Sequence, residues 1–120
     1  MNDMIEKSER LLIVCDECLQ RHEMMRELDR EPDFYNEVKP YSDVQFILLE
    51  EWKEEMTVFI AKERPKYIHL QQIQSLDEMM KQFIVQSFYQ KTGKKRFVQS
   101  IQSARYTLRT ILDALRERND

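Results

Sequence analysis

The sequence predicts an all-α protein, a single antiparallel up-and-down four-helix bundle, and three observations carry that prediction. The 120 residues include one glycine, Gly93, and three prolines, Pro32, Pro40 and Pro65. Tight turns draw on Gly, Asn and Pro, so a sheet with many turns has little to be built from. Apolar residues recur three and four positions apart over four long segments, the period of a helix face and not of a strand. The breaks between segments fall where proline or glycine stands. This length suits one domain over 1–120, burying roughly two-thirds of the surface of its unfolded chain.

The first helix is expected over about residues 3–30. Ile5, Leu12, Cys15, Leu19 and His22 share a face, flanked by Leu11, Cys18, Met25 and Leu28. Residues 31–43 hold Pro32 and Pro40 and read as a connection with one short helical turn at 34–38, since proline removes a backbone donor and restricts its predecessor. Phe34, Tyr35 and Tyr41 are placed to fold this connection over one end of the core. The second helix is expected over about 41–63, with Leu48, Trp52, Met56 and Phe59 inward and Pro65 as its stop. The third is expected over about 70–91, with Ile73, Leu76, Met80, Phe83 and Ser87 inward and Ile84 and Phe88 beside them. Gly93 is expected to end it in a left-handed conformation. The fourth is expected over about 94–118. Phe97, Ile101, Ala104, Leu108, Ile111 and Leu115 form the cleanest stripe in the chain. Short second and third connections make their flanking helices antiparallel neighbours.

Composition narrows the function classes. Apolar residues make up 42% and charged residues 34%, too apolar for a disordered chain. No apolar run approaches the roughly 20 residues that span a bilayer. Polar residues interrupt every candidate signal segment near the N-terminus, so a cytoplasmic location is expected, and two cysteines suit it. The net charge of −3 is unevenly spread. Residues 1–60 carry 16 Asp/Glu against 7 Lys/Arg, and residues 61–120 carry 6 against 12. Two halves packed together with compensating surface charges account for this. A basic face offered to an anionic partner is the functional alternative.

Arg64-Pro65-Lys66-Tyr67-Ile68-His69, then Gln72-Ile73, Gln86-Ser87, Lys94-Lys95-Arg96-Phe97 and Tyr106-Thr107-Leu108, resemble the YppE-like family of small proteins from Gram-positive bacteria. The resemblance covers about residues 32–115 and is most specific around 64–97. In the first helix little more than length and amphipathicity agree. It implies a four-helix bundle, as the periodicity does, and brings no activity, substrate or cofactor.

Three constellations could carry chemistry. Cys15 and Cys18 lie on one helix face with His22, at a spacing where thiolates and imidazole can bind zinc, with His69 or a carboxylate as fourth ligand, or where the thiols form a redox couple. Against this, a single CxxC inside a helix is a weak motif. The three residues also occupy core positions, and the resemblance carries no cysteines there. Core packing is the expected role, with no metal and no cofactor. Lys91, Lys94, Lys95 and Arg96 surround the third connection, where helix N-terminal N–H groups favour anions. The acidic first connection lies at the same end, so local charge pairing competes with anion binding. The acidic whole disfavours nucleic acid. Arg64, Lys66, Tyr67 and His69 form the second connection, at the opposite end. Pro65 stops a helix, Tyr67 and Ile68 close the core, His69 caps the next helix, and Arg64 and Lys66 suit a helix C-terminus. The functional alternative is a partner-docking corner.

Glu50, Glu51, Glu54 and Glu55 read as a solvated face, because di-iron bundles need Glu-x-x-His pairs and this chain has none. No catalytic residue is assignable, and one glycine cannot build a phosphate-cradling loop. The expectation is a non-enzymatic cytoplasmic protein-interaction module, adaptor or regulator, with another protein as partner and no membrane. A monomer is favoured, since four helices close a core alone, with a dimer through a leftover apolar stripe on the first helix as the alternative. The rivals are a small-ligand or metal-binding protein using Cys15, Cys18 and His22, and an anion- or nucleic-acid-binding protein using Lys94, Lys95 and Arg96.

Overall fold

Apolar stripes at helical spacing must find one another, and in this chain they do so around a common axis. The computed structural model describes residues 2–119. It contains α1 (Asn2–Leu28), a π-helical turn (Phe34–Val38), α2 (Lys39–Glu63), α3 (Leu70–Gln86) and α4 (Lys94–Asn119). α1 packs on α2 and α4, and α3 completes the ring between them. α1 also meets α3 across the centre. Ion pairs fix the directions. Lys94 at the start of α4 bonds Glu23 late in α1, at 2.9 Å, while Arg116 late in α4 bonds Glu9 early in α1, also at 2.9 Å. Lys7 early in α1 bonds Glu55 late in α2, at 2.7 Å. The helices run up, down, up, down in a body of 47 × 26 × 22 Å.

The core is continuous from Met4 to Leu115. α4 contributes the six residues of its stripe, all essentially inaccessible. α3 contributes Ile73, Leu76, Met80, Phe83 and Ile84, with Ser87 and Phe88 just beyond its end. The inner line of α1 is Met4, Ser8, Leu11, Cys15, Cys18, His22 and Met25. It is turned by one residue from the expected face, leaving Ile5, Leu12 and Leu19 half-buried at its side. Polar residues cause the offset. Ser8 looks like a surface residue, yet the Trp52 indole N–H donates to its Oγ at 2.9 Å and its hydroxyl donates to the Met4 carbonyl at 2.7 Å. A buried hydroxyl so satisfied costs little. In α2, Leu49 takes the core place expected of Leu48, beside Trp52, Met56 and Phe59.

Several boundaries differ from expectation. α2 begins at Lys39, with Pro40 inside its first turn, where the missing N–H has no intrahelical partner to lose. α3 stops at Gln86, with Ser87 as its cap, well before residue 91. Gly93 does not terminate α3 and is not left-handed. It precedes α4, and its carbonyl accepts the Phe97 N–H at 3.1 Å, the first bond of that helix. The first connection closes the core with Val38 and the half-buried Tyr41, whereas Phe34 and Tyr35 remain exposed. Asp33 holds the connection in shape by accepting the N–H groups of Tyr35 and Asn36, both at 3.1 Å.

Candidate functional site

Cys15 and Cys18 have no accessible surface and His22 has 2%. Burial pushes the Cys15 thiol up to about 12, with the neighbouring Cys18 adding to the rise. It pushes Cys18 up to about 11, against the pull of Arg21. Both thiols are therefore protonated at neutral pH, and a protonated thiol is a poor nucleophile. His22 stacks on Phe97 with ring centroids 4.2 Å apart. Burial lowers its pKa, against a bond with the Thr92 backbone that raises it, so the ring is neutral. Among the described residues no three His, Cys, Asp or Glu side chains converge where a metal ion would sit.

The basic third connection meets carboxylates. Lys94 bonds Glu23 at 2.9 Å, and Lys91 lies 4.0 Å from Glu31 in the first connection. Lys95 and Arg96 point outward, both exposed. The four cations therefore do not act as one cluster.

The second connection has the least ordinary backbone. Arg64 caps α2 in the left-handed region, at φ 45° and ψ 56°, its N–H donating to the Ile60 carbonyl. Pro65 is buried. Tyr67 also has positive φ, 70°. Tyr67 is 61% exposed and Ile68 1%, so Ile68, not Tyr67, closes the core here. The Lys66 ammonium stands 5.8 Å from the Tyr67 ring centroid. His69 is the N-cap of α3. Its backbone N–H donates to Gln72 Oε1 at 2.7 Å, and its carbonyl accepts the Gln72 N–H at 3.0 Å. Lys66, Tyr67 and His69 are all exposed, and Arg64 with them.

Two polar clusters have no counterpart in the sequence reading. The Arg21 guanidinium lies 3.8 Å over the Tyr41 ring and 4.4 Å from the Phe88 ring, and donates to Ser87 Oγ at 3.1 Å. The Tyr41 hydroxyl donates to Glu17 at 2.7 Å. Burial, the nearby Cys18 and that bond together raise the Tyr41 pKa. One arginine thus ties α1 to the start of α2 and the end of α3. The second cluster is Asp77, with Lys53 and Lys81 each 3.3 Å from Oδ2 while Oδ1 has no partner among the described residues. Lys81 also bonds Glu50. Asp77 follows Ile73 by four and precedes Met80 by three, so its place within the α3 stripe was a readable signal of burial. Arg21 offered none, because its partners are distant in sequence.

These features define a class: a four-helix bundle with a packed interior and its distinctive polar chemistry at the corners and seams. Residues 8–115 match the family described as a bacterial domain of unknown function, DUF1798, and the chain belongs to that family. The uncharacterized protein YppE of Bacillus subtilis is 27% identical over 112 residues, covering 93% of this chain and 91% of that protein. The crystal structure of YppE superposes with a TM-score of 0.89 at 26% identity, over 97% of this chain and 94% of that one. A DUF1798 domain of unknown function from Staphylococcus aureus gives a TM-score of 0.84 at 27% identity, over 92% and 94%. No helix among the described residues is long and apolar enough to cross a membrane.

Proposed function

We propose that the protein is a non-enzymatic interaction module, an adaptor or regulator of the cytoplasm, acting as a monomer that docks another protein at the corner between α2 and α3. The observation that carries this reading is Tyr67. A bulky residue with φ 70° bears roughly 1–2 kcal/mol of backbone strain. With 61% of its surface exposed, Tyr67 returns none of that to the core. Strain without packing gain is a pattern of working sites. Tyr and Arg are also the residue types that anchor protein interfaces. Here Tyr67 projects beside Lys66, Arg64 and His69, which suits a partner surface carrying carboxylates. The test is crosslinked affinity capture from the organism's cytoplasm with tagged wild type, Tyr67→Ser and Lys66→Glu. A discrete partner captured by wild type and lost with both variants supports the reading. An identical capture profile for all three rejects it.

A further inference from the structure

The outer edge of α2 carries apolar side chains that the bundle does not use. Val44, Ile47 and Val58 are 56%, 61% and 60% exposed. With Glu51 and Glu54 they follow spacings of 3, 4, 3 and 4, so the five stand in one line along the helix. The line is about 21 Å long at 1.5 Å per residue. β-branched residues are poor helix formers, so solvent-facing Val and Ile lower the stability of α2 without repaying it by burial. Shallow grooves against α1 flank the line. One is formed by Glu6, Lys7 and Arg10 with Val44, Ile47 and Glu51. The other is formed by Asp3 and Met4 with Glu51, Glu54 and Val58.

Charge selects what covers this edge. Glu51 has Lys7 at 3.9 Å, and among the described residues Glu54 and Glu6 have no cation within ion-pair distance. A second copy docked by two-fold symmetry would set Glu51 and Glu54 against their own images, a repulsive arrangement. The outer line of α4 in another copy, Lys95, Gln99, Gln102, Tyr106 and Arg109, offers one aromatic against three aliphatic side chains. It would also join copies head to tail without closure.

We infer that the α2 edge docks a cationic amphipathic helix of another protein, its apolar residues over Val44, Ile47 and Val58 and its Lys or Arg facing Glu51 and Glu54. Helix-on-helix docking of this kind reads anchors at three- and four-residue spacing. The inference rests on the interaction-module reading but uses a different surface and a partner of opposite charge to the Tyr67 corner.

The probe is a synthetic peptide of about 18 residues, five helical turns, with Leu along one face and Lys on the others. A control peptide has the same composition in shuffled order. Each is titrated into the isotopically labelled full chain and followed by amide chemical shifts. The expected shifts are confined to residues 3–10 and 44–58 and occur with the amphipathic peptide alone. Ile47→Ser raises Kd by about tenfold, the effect of losing one buried aliphatic anchor. Glu51→Lys with Glu54→Lys abolishes binding. All three positions are exposed, and circular dichroism checks that the variants remain helical. Equal binding of the shuffled peptide, shifts on another face, or no binding at millimolar peptide each overturns the inference. So does a wild-type dimer in sedimentation that Ile47→Ser dissolves, which would assign the edge to a second copy. Tyr67→Ser is expected to bind the peptide normally, so failure of this docking site and failure of the corner are separately visible.

Discussion

At φ 70° the Cβ of Tyr67 crowds its own carbonyl oxygen, a conflict that glycine escapes. Tyr67→Gly therefore raises stability, by up to about 1 kcal/mol once the greater freedom of the unfolded glycine chain is counted. The same substitution removes the proposed docking residue. Denaturant unfolding set beside affinity capture checks both halves, and a destabilised variant would show that the ring does structural service after all. His22 gives a second prediction at this scale. The unfolded imidazole takes up a proton near 6.5, while the buried ring holds its pKa lower because burial, Arg26 and Lys94 oppose the charge more than Glu23 and the Thr92 backbone favour it. Between those two values the unfolded state binds more protons than the folded state. Stability is then fully present above about 6.5 and falls as pH drops through the window. Unfolding midpoints at pH 7.5 and 5.0 measure this, and His22→Leu is expected to show a smaller fall than wild type. Equal falls would place the pH sensitivity elsewhere, in the paired carboxylates.

The helices differ in how far their inner faces could be read, and the reason is the chemistry of each stripe. α4 is inward-apolar at every position of its line, so periodicity alone finds it. α1 buries Ser8, and a reading that follows apolar residues slides one position toward Ile5, Leu12 and Leu19, although it places Cys15 and His22 correctly. α2 is apolar on both its inner and outer lines, so the three-and-four spacing of Leu48 competes with the true core residue Leu49. The corner between α2 and α3 was legible as a connection from Pro65, but the left-handed state of Tyr67 leaves no mark in composition. The Arg21 contacts form only when three elements meet. Asp77 tests the packing account of α3. Its carboxylate is 5% exposed, but Lys53 and Lys81 beside it are 37% and 36% exposed and can turn to water. Loss of one partner of a buried ion pair is costly when the other charge is left buried, and here both lysines remain open to water, so the cost is small. Asp77→Leu is expected to stay within about 1 kcal/mol of wild type. A loss several times larger in chemical unfolding would show that the Asp77 ion pairs hold α2 to α3.

Across the whole molecule, the unequal charge of the two halves becomes intelligible as pairing between neighbours. The basic α4 lies against the acidic α1, with Lys94 on Glu23, Arg105 on Asp16 at 3.5 Å, and Arg116 on Glu9. These contacts are exposed enough to be screened and each contributes little to stability, but they occupy part of the cationic surface of α4. A chelator is expected to leave the melting temperature unchanged, and Cys15→Ala with Cys18→Ala to lower stability by about 1 kcal/mol per site through lost packing. A chelator-sensitive melt that becomes insensitive in the double variant would reinstate a metal at these thiols. If the bundle works through its surface at the Tyr67 corner, as proposed, site-specific photocrosslinking inside the cell captures the partner there. A photoreactive phenylalanine analogue placed at Tyr67 is compared with one at Tyr106, an equally open aromatic at 76% exposure on α4. A discrete adduct to one protein from position 67 and none from position 106 is the result expected. Adducts absent from 67, or the same from both positions, would contradict it.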